Sequence, residues 1–108
     1  MFWFNMPAGL KQWMDDVLQY GFAYGTGGDK LQGKKFLHVV TTGQGAQTYE
    51  GGFLDTLATP VKVSVTYCGL DYQGLLPCHG QLALTNANAA EDAKAFAAKV
   101  VEKIKSLG

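Results

Sequence analysis

The chain has 108 residues, nine basic and nine acidic side chains, and 47% hydrophobic residues. That length carries one domain. The hydrophobicity excludes disorder, and the charge balance excludes a nucleic-acid binder that works by displacing counterions. No stretch reaches the roughly 20 apolar residues of a membrane span, and the start lacks the basic flank and long apolar stretch of a secretory leader. The two cysteines, Cys68 and Cys78, form no CxxC and are too few for a disulfide framework, so they read as buried thiols of a cytoplasmic protein.

In chain order, aromatic residues 2–4 precede Asn5-Met6-Pro7, and Pro7 suits the first turn of a helix. Leu10, Trp13, Met14, Val17 and Leu18 then form one apolar stripe at helical spacing, which predicts a helix over 8–19. Gly21 is available to end it in a left-handed conformation. A loop follows with Phe22 and Tyr24 set among glycines. Phe36 to Thr41 is almost wholly apolar and predicts a strand covered on both faces, as in a parallel sheet. It runs directly into Thr41-Thr42-Gly43-Gln44-Gly45, which places hydroxyls and backbone N–H groups at the strand's carboxyl end, where open α/β sheets bind ligands.

Residues 46–60 read as loop, with room for a short helix from Gly52 to Ala58. Val61 to Tyr67 is ambiguous. Its alternation reads as a strand, yet Leu57, Val61, Val65 and Cys68 also share a helical face, with Pro60 suited to a first turn. Periodicity alone favours the strand. Leu75 to His79 reads as a short strand weakened by Pro77, which cannot donate to a ladder. Asn88 with Glu91 resembles a capping box, and Ala93, Phe96, Ala97, Val100, Ile104 and Leu107 define a C-terminal helix.

Four segments resemble the flavodoxin-like NAD(P)H:quinone oxidoreductases, particularly bacterial FMN-dependent members that include ancillary subunits of potassium-efflux systems. They are Phe2-Trp3-Phe4-Asn5-Met6-Pro7-Ala8-Gly9-Leu10-Lys11-Gln12-Trp13, Gly21 to Gly25, Thr41-Thr42-Gly43 with Tyr49, and Tyr67-Cys68-Gly69-Leu70. The resemblance implies an α/β fold: a three-layer α/β/α parallel sheet of which this chain holds the C-terminal half, strands four and five with three helices. It turns about Leu57–Cys68 into a helix. It covers residues 1–108 as a partial domain without the phosphate-cradling loop. Either the chain is a fragment, or partner subunits cover its open edge and faces.

The resemblance further implies FMN as cofactor, NAD(P)H as co-substrate and a quinone-like acceptor, with FMN bound weakly or not at all by this chain because the phosphate loop is missing. Trp3, Phe4, Asn5, Thr41, Thr42 and Gly43 would contact the flavin ring, Tyr49 would act in catalysis, and Phe22 and Tyr24 would line the substrate site of a second subunit. That makes a homodimer the expected assembly, with the face carrying Trp13, Met14 and Leu18 driving association, and it admits a membrane-transporter partner. At the position of the family's catalytic histidine this sequence offers Asp55 or a neutral neighbour. The competing readings are a flavin-free remnant that only oligomerises, and a small-molecule module with the pocket repurposed. His38 reads as a core histidine, and His79 as a strand-end residue with little claim to function. No spacing among His38, His79, Cys68 and Cys78 suits a metal, and the P-loop spacing is absent.

Overall fold

The computed structural model describes residues 1–108. In chain order the elements are α1 (Ala8–Val17), β1 (Lys35–Thr41), a 3₁₀ turn (Ala46–Tyr49), α2 (Phe53–Tyr67), β2 (Asp71–Cys78) and α3 (Ala89–Leu107). The strands are parallel and make a two-stranded sheet. Lys35 pairs with Asp71, Phe36 with Tyr72, His38 with Leu75 and Thr41 with Cys78. The extra β2 residue between Tyr72 and Leu75 is a bulge, and Gly74 takes its positive φ of 111° there. With α1 and α2 on one face and α3 on the other, the fold is flavodoxin-like, in three layers.

The ambiguous segment is helix, and burial shows why. Val61 and Val65 are 2% and 0% exposed, whereas Val63 and Tyr67, which a strand would place on the same face, are 59% and 74% exposed. The Thr and Ser residues on α2 are accommodated because their hydroxyls are satisfied within the helix. The hydroxyls of Thr56, Thr59, Ser64 and Thr66 each donate to the carbonyl four residues back. Pro60 lies inside α2 rather than in its first turn.

Met14, Ala23, Val61, Val65, Cys68 and Leu70 form the core, with Leu10, Leu18, Phe36 and Tyr72 packed around it. Met14 is therefore interior and not part of an exposed association face. Trp13 is half-buried against Phe36, ring centroids 6.4 Å apart. Helix α1 ends two residues earlier than expected, and Gly21 takes its left-handed φ in the following turn, where its N–H donates to the Tyr24 carbonyl. Gly28 is obligatory in that loop, because a Cβ there would overlap the Tyr24 carbonyl.

Two further expectations change. Strand β1 is not covered on both faces: His38 and Val40 are buried, but Val39 is 42% exposed. Asn88 makes no side-chain cap on α3. Asn86 does that work: its Oδ1 accepts from the Asn88 N–H at 3.0 Å, and its Nδ2 donates to Asp92 at 2.9 Å and to the Gly80 carbonyl at 2.8 Å. At the far end of α3, the Lys35 ammonium donates to the Leu107 carbonyl and so ties the helix to the start of β1. Pro77 sits in β2 without breaking the ladder. Cys78 turns its carbonyl to the Thr42 N–H, so Pro77, one residue back, turns its missing donor to the open edge.

The molecule is open for its size. Its surface is 7081 Å², against roughly 5,800 Å² for a compact monomer of this mass. Its radius of gyration is 15.5 Å, against about 13 Å expected for this length. No helix is long and apolar enough to cross a membrane.

His38 is buried between the sheet and the helices, with the Tyr72 hydroxyl 3.4 Å from its Nδ1. Burial lowers its pKa below the ordinary histidine value. Above about pH 6.5 the ring is neutral folded or unfolded; below it, the unfolded chain takes a proton that folded His38 resists. Stability is therefore lost as pH falls through that value. His38→Gln should shrink the drop in denaturant midpoint between about pH 7.5 and about pH 5.5; an unchanged drop would assign the acid sensitivity elsewhere.

Candidate ligand site at the carboxyl end of the sheet

The parallel pairing brings the loop after β1 and the loop after β2 to the same end of the sheet. The Thr42 N–H donates to the Cys78 carbonyl at 3.0 Å, the Gln81 N–H to the Thr42 carbonyl at 2.7 Å, and the Gly80 N–H to the Gln44 carbonyl at 2.8 Å. Thr42 is 2% exposed. Its hydroxyl donates to the Gln44 carbonyl at 2.8 Å and lies 2.9 Å from His79 Nδ1.

The N-terminal segment lies beside these loops. The Met1 ammonium donates to the Thr41 carbonyl at 2.8 Å, on the edge of β1 that faces away from β2. Phe2 and Asn5 then exchange two backbone bonds, Phe2 N–H to Asn5 at 3.1 Å and Asn5 N–H to Phe2 at 3.0 Å. The two residues between them, Trp3 and Phe4, have φ of 51° and 58°. This is a tight hairpin turn with both central residues left-handed, a geometry that ordinarily selects Asn-Gly. Two bulky aromatics there store strain of about 1–2 kcal/mol per residue. Strain of that kind gathers at ligand sites.

Phe4 is held by packing, 6.3 Å from the Tyr49 ring and 5.9 Å from Phe53. Tyr49 is buried at the end of the 3₁₀ turn, stacked on Phe53 at 6.1 Å and on His79 at 5.0 Å. Trp3 stands 93% exposed at the tip of the turn. Together Met1, Trp3, Phe4, Gly43, Gln44, Tyr49 and Leu82 line a recess of 190 Å³. A second, glycine-rich depression of 420 Å³ adjoins it through Gly43, Gln44 and Leu82. No Cβ at Gly43 narrows the approach, and only Leu82 comes within 4 Å of where one would stand.

Of the residues singled out in the sequence, Trp3, Phe4, Gly43 and Tyr49 converge on this recess. Asn5 and Thr41 line a different, open cavity with Met6, Leu10 and Val61. The Asn5 side chain accepts from the Met6 N–H at 2.8 Å. The Thr42 side chain is turned inward, its hydroxyl engaged with Gln44 and His79. Phe22 and Tyr24 are not brought to the recess within one chain. Tyr24 packs on Tyr20 and Tyr67, both centroids at 5.8 Å, beyond the C-terminal end of α2, which is the opposite end of the sheet. The sequence reading gave His79 little claim to function although it follows a strand directly, and it passed over Gln44 and Leu82 as site residues.

The largest cavity, 830 Å³, lies elsewhere, between α2 and the outer edge of β2. Lys62 sits there over the Tyr72 ring at 5.6 Å. Both cysteines are free and buried, and burial pushes both thiol pKa values up, away from the nucleophilic thiolate, with Asp92 adding to the rise at Cys78. No three His, Cys, Asp or Glu side chains are grouped to hold a metal.

A parallel sheet with helices on both faces places the chain in the doubly wound α/β class, whose members bind ligands at the strands' carboxyl ends. A family model described as "Flavodoxin-like fold" matches residues 1–104, and the chain belongs to that family. It is 37% identical over 111 residues to YrkL of Bacillus subtilis strain 168, named an uncharacterized NAD(P)H oxidoreductase, covering 98% of this chain and 62% of that protein. General stress protein 14 of Treponema denticola, solved in complex with FMN, superposes with a TM-score of 0.75 at 32% identity, over 94% of this chain and 61% of its own. An NADPH-quinone reductase from P. pentosaceus superposes with a TM-score of 0.71 at 29% identity, over 88% of this chain and 59% of its own. The chain thus spans about three fifths of the length of these relatives.

The strained turn yields a test. Glycine takes positive φ freely, and an exposed Trp3 side chain contributes little burial. Trp3→Gly should stabilise the fold by about 1 kcal/mol, read as a raised denaturant midpoint with unchanged slope. A destabilised variant would mean that the indole packs in solution.

Proposed function

We propose that this chain carries the ring-binding part of an FMN-dependent NAD(P)H:quinone oxidoreductase. The observation that carries the reading is the strained, exposed Trp3–Phe4 turn standing beside Gly43 and the buried Tyr49 at the carboxyl end of a parallel sheet. The FMN complex of the Treponema relative and the names of YrkL and the NADPH-quinone reductase support it. A bound flavin supplies hydride acceptance from the nicotinamide and two-electron delivery to a quinone-like acceptor.

The residues present suit the ring of that cofactor and not its phosphate. Trp3, Phe4 and Leu82 offer apolar wall, and Gly43 and Gln44 offer backbone that a flat ligand approaches closely. The only charged group lining the recess is the Met1 ammonium, already bonded to Thr41. The Tyr49 hydroxyl makes no hydrogen bond within the chain, which leaves it free to donate to charge developing at a bound ring. A second copy would bring its Phe22 and Tyr24 to complete the acceptor site, and the exposed edge of β1 and the surface excess favour such a homodimer.

The second reading, a flavin-free module that only associates, is favoured by the same want of phosphate ligands at the recess. Titration by flavin fluorescence separates the two. Riboflavin and FMN should quench with Kd values within about threefold of each other, both weaker than about 1 μM, since charge-assisted phosphate bonds are missing. Tyr49→Phe should leave both affinities nearly unchanged while slowing reduction of bound flavin by NAD(P)H. No quenching by either flavin would favour the associating module. Sub-micromolar binding of FMN alone would mean that an unrecognised group holds the phosphate.

A further inference from the structure

His79 directly follows β2 and stands at the junction of the two loops that build the recess, yet it does not line it. We propose that His79 is the positioning residue of this site: it locks the loop after β1 and the Tyr49 ring into the geometry that receives a flat ligand. The proposal rests on the flavin-ring reading above for the ligand, and on this chain's own contacts for the rest.

The hydrogen bonds assign the ring's state. The Thr42 hydroxyl has one proton, and the Gln44 carbonyl, 2.8 Å away, is a pure acceptor that takes it. The His79 nitrogen 2.9 Å from the same oxygen must then be the donor, so the neutral ring carries its proton on Nδ1. Thr42 is thereby held from both sides, its backbone bonded to Cys78 and Gln81 and its hydroxyl bridging Gln44 and His79. The Gln44 carbonyl also accepts the Gly80 N–H, so the residues on either side of the clamp alternate between the two loops.

The face of the same imidazole does a second task. It lies 16° from parallel to the Tyr49 ring at a centroid distance of 5.0 Å, nearer than Phe53 at 6.1 Å or Phe4 at 6.3 Å. One side chain therefore fixes the Gly43–Gln44 backbone through Thr42 and fixes Tyr49 by stacking. These are the polar and the aromatic halves of the recess. A loop held in advance loses less entropy on binding, which is where the affinity gain arises.

The test uses the 108-residue chain and three variants. His79→Asn retains a donor near the Nδ1 position without the ring, His79→Phe retains a flat ring without the donor, and His79→Ala retains neither. Nitrogen-15 NMR of the unsubstituted protein should show the Nδ1–H tautomer. Amide exchange at Gln81 and Gly80 should quicken by about tenfold or more in the Ala and Phe variants and be restored in Asn. Riboflavin affinity should fall by about tenfold or more in Ala, with Asn and Phe each recovering part of it. Should Ala fail to fold, the contrast between Asn and Phe decides, since the two separate the bond from the stack. Unchanged exchange and unchanged affinity across the folded variants would overturn the proposal, as would the Nε2–H tautomer. If the unsubstituted chain binds no riboflavin, the flavin reading fails, and His79 is judged by tautomer and exchange alone.

Discussion

The parallel pairing of β1 with β2 is the constraint from which the rest of the molecule follows. Parallel neighbours cannot be joined by a tight turn and need a crossover of a dozen or more residues. Helix α2 is that crossover, and Val61 and Val65 seat it on the sheet. Both strands then emerge at one end, where Thr42 bonds Cys78 and Gln81 and lies against His79. In an antiparallel pair those two loops would leave the sheet at opposite ends, and neither the clamp nor the recess would form.

The same arrangement leaves the fold unevenly covered. Helices α1 and α2 close one face around Met14, Val61, Val65 and Cys68, while α3 packs chiefly against β2. Val39 on β1 and Val101 and Ile104 on α3 stay substantially exposed. The excess surface and the elongated shape are one fact seen twice: a sheet of two strands cannot shield apolar groups on both of its faces.

Strain and openness meet at the N-terminal turn. Trp3 and Phe4 adopt left-handed backbone in a hairpin turn, where glycine and asparagine would be unstrained. Phe4 is compensated by its packing on Tyr49 and Phe53, whereas Trp3, almost fully exposed, recovers nothing within the chain. That asymmetry sets Trp3 apart from the core, on the same rim as Gly43 and Leu82.

Local sequence determined the helical stripe from Leu10 to Leu18, the apolar strand from Phe36 to Thr41 and the C-terminal helix, because each carries its own period or composition. The likeness to a known family pointed to Trp3, Phe4, Gly43 and Tyr49, which the fold brings to one recess, and equally to Asn5, Thr41 and Thr42, which it places elsewhere. Periodicity misread Val61–Tyr67, since alternate valines satisfy a strand and a helix equally until one knows which of them is buried. Asn86 as the cap of α3, the inward turn of the Thr42 hydroxyl and the place of His79 against Tyr49 were decided only in three dimensions. Each depends on loops 37 or 30 residues apart in sequence, or on a turn whose partner atom lies across a loop. Nothing local in the sequence encodes such pairs; the parallel ladder creates them by bringing two strand ends together.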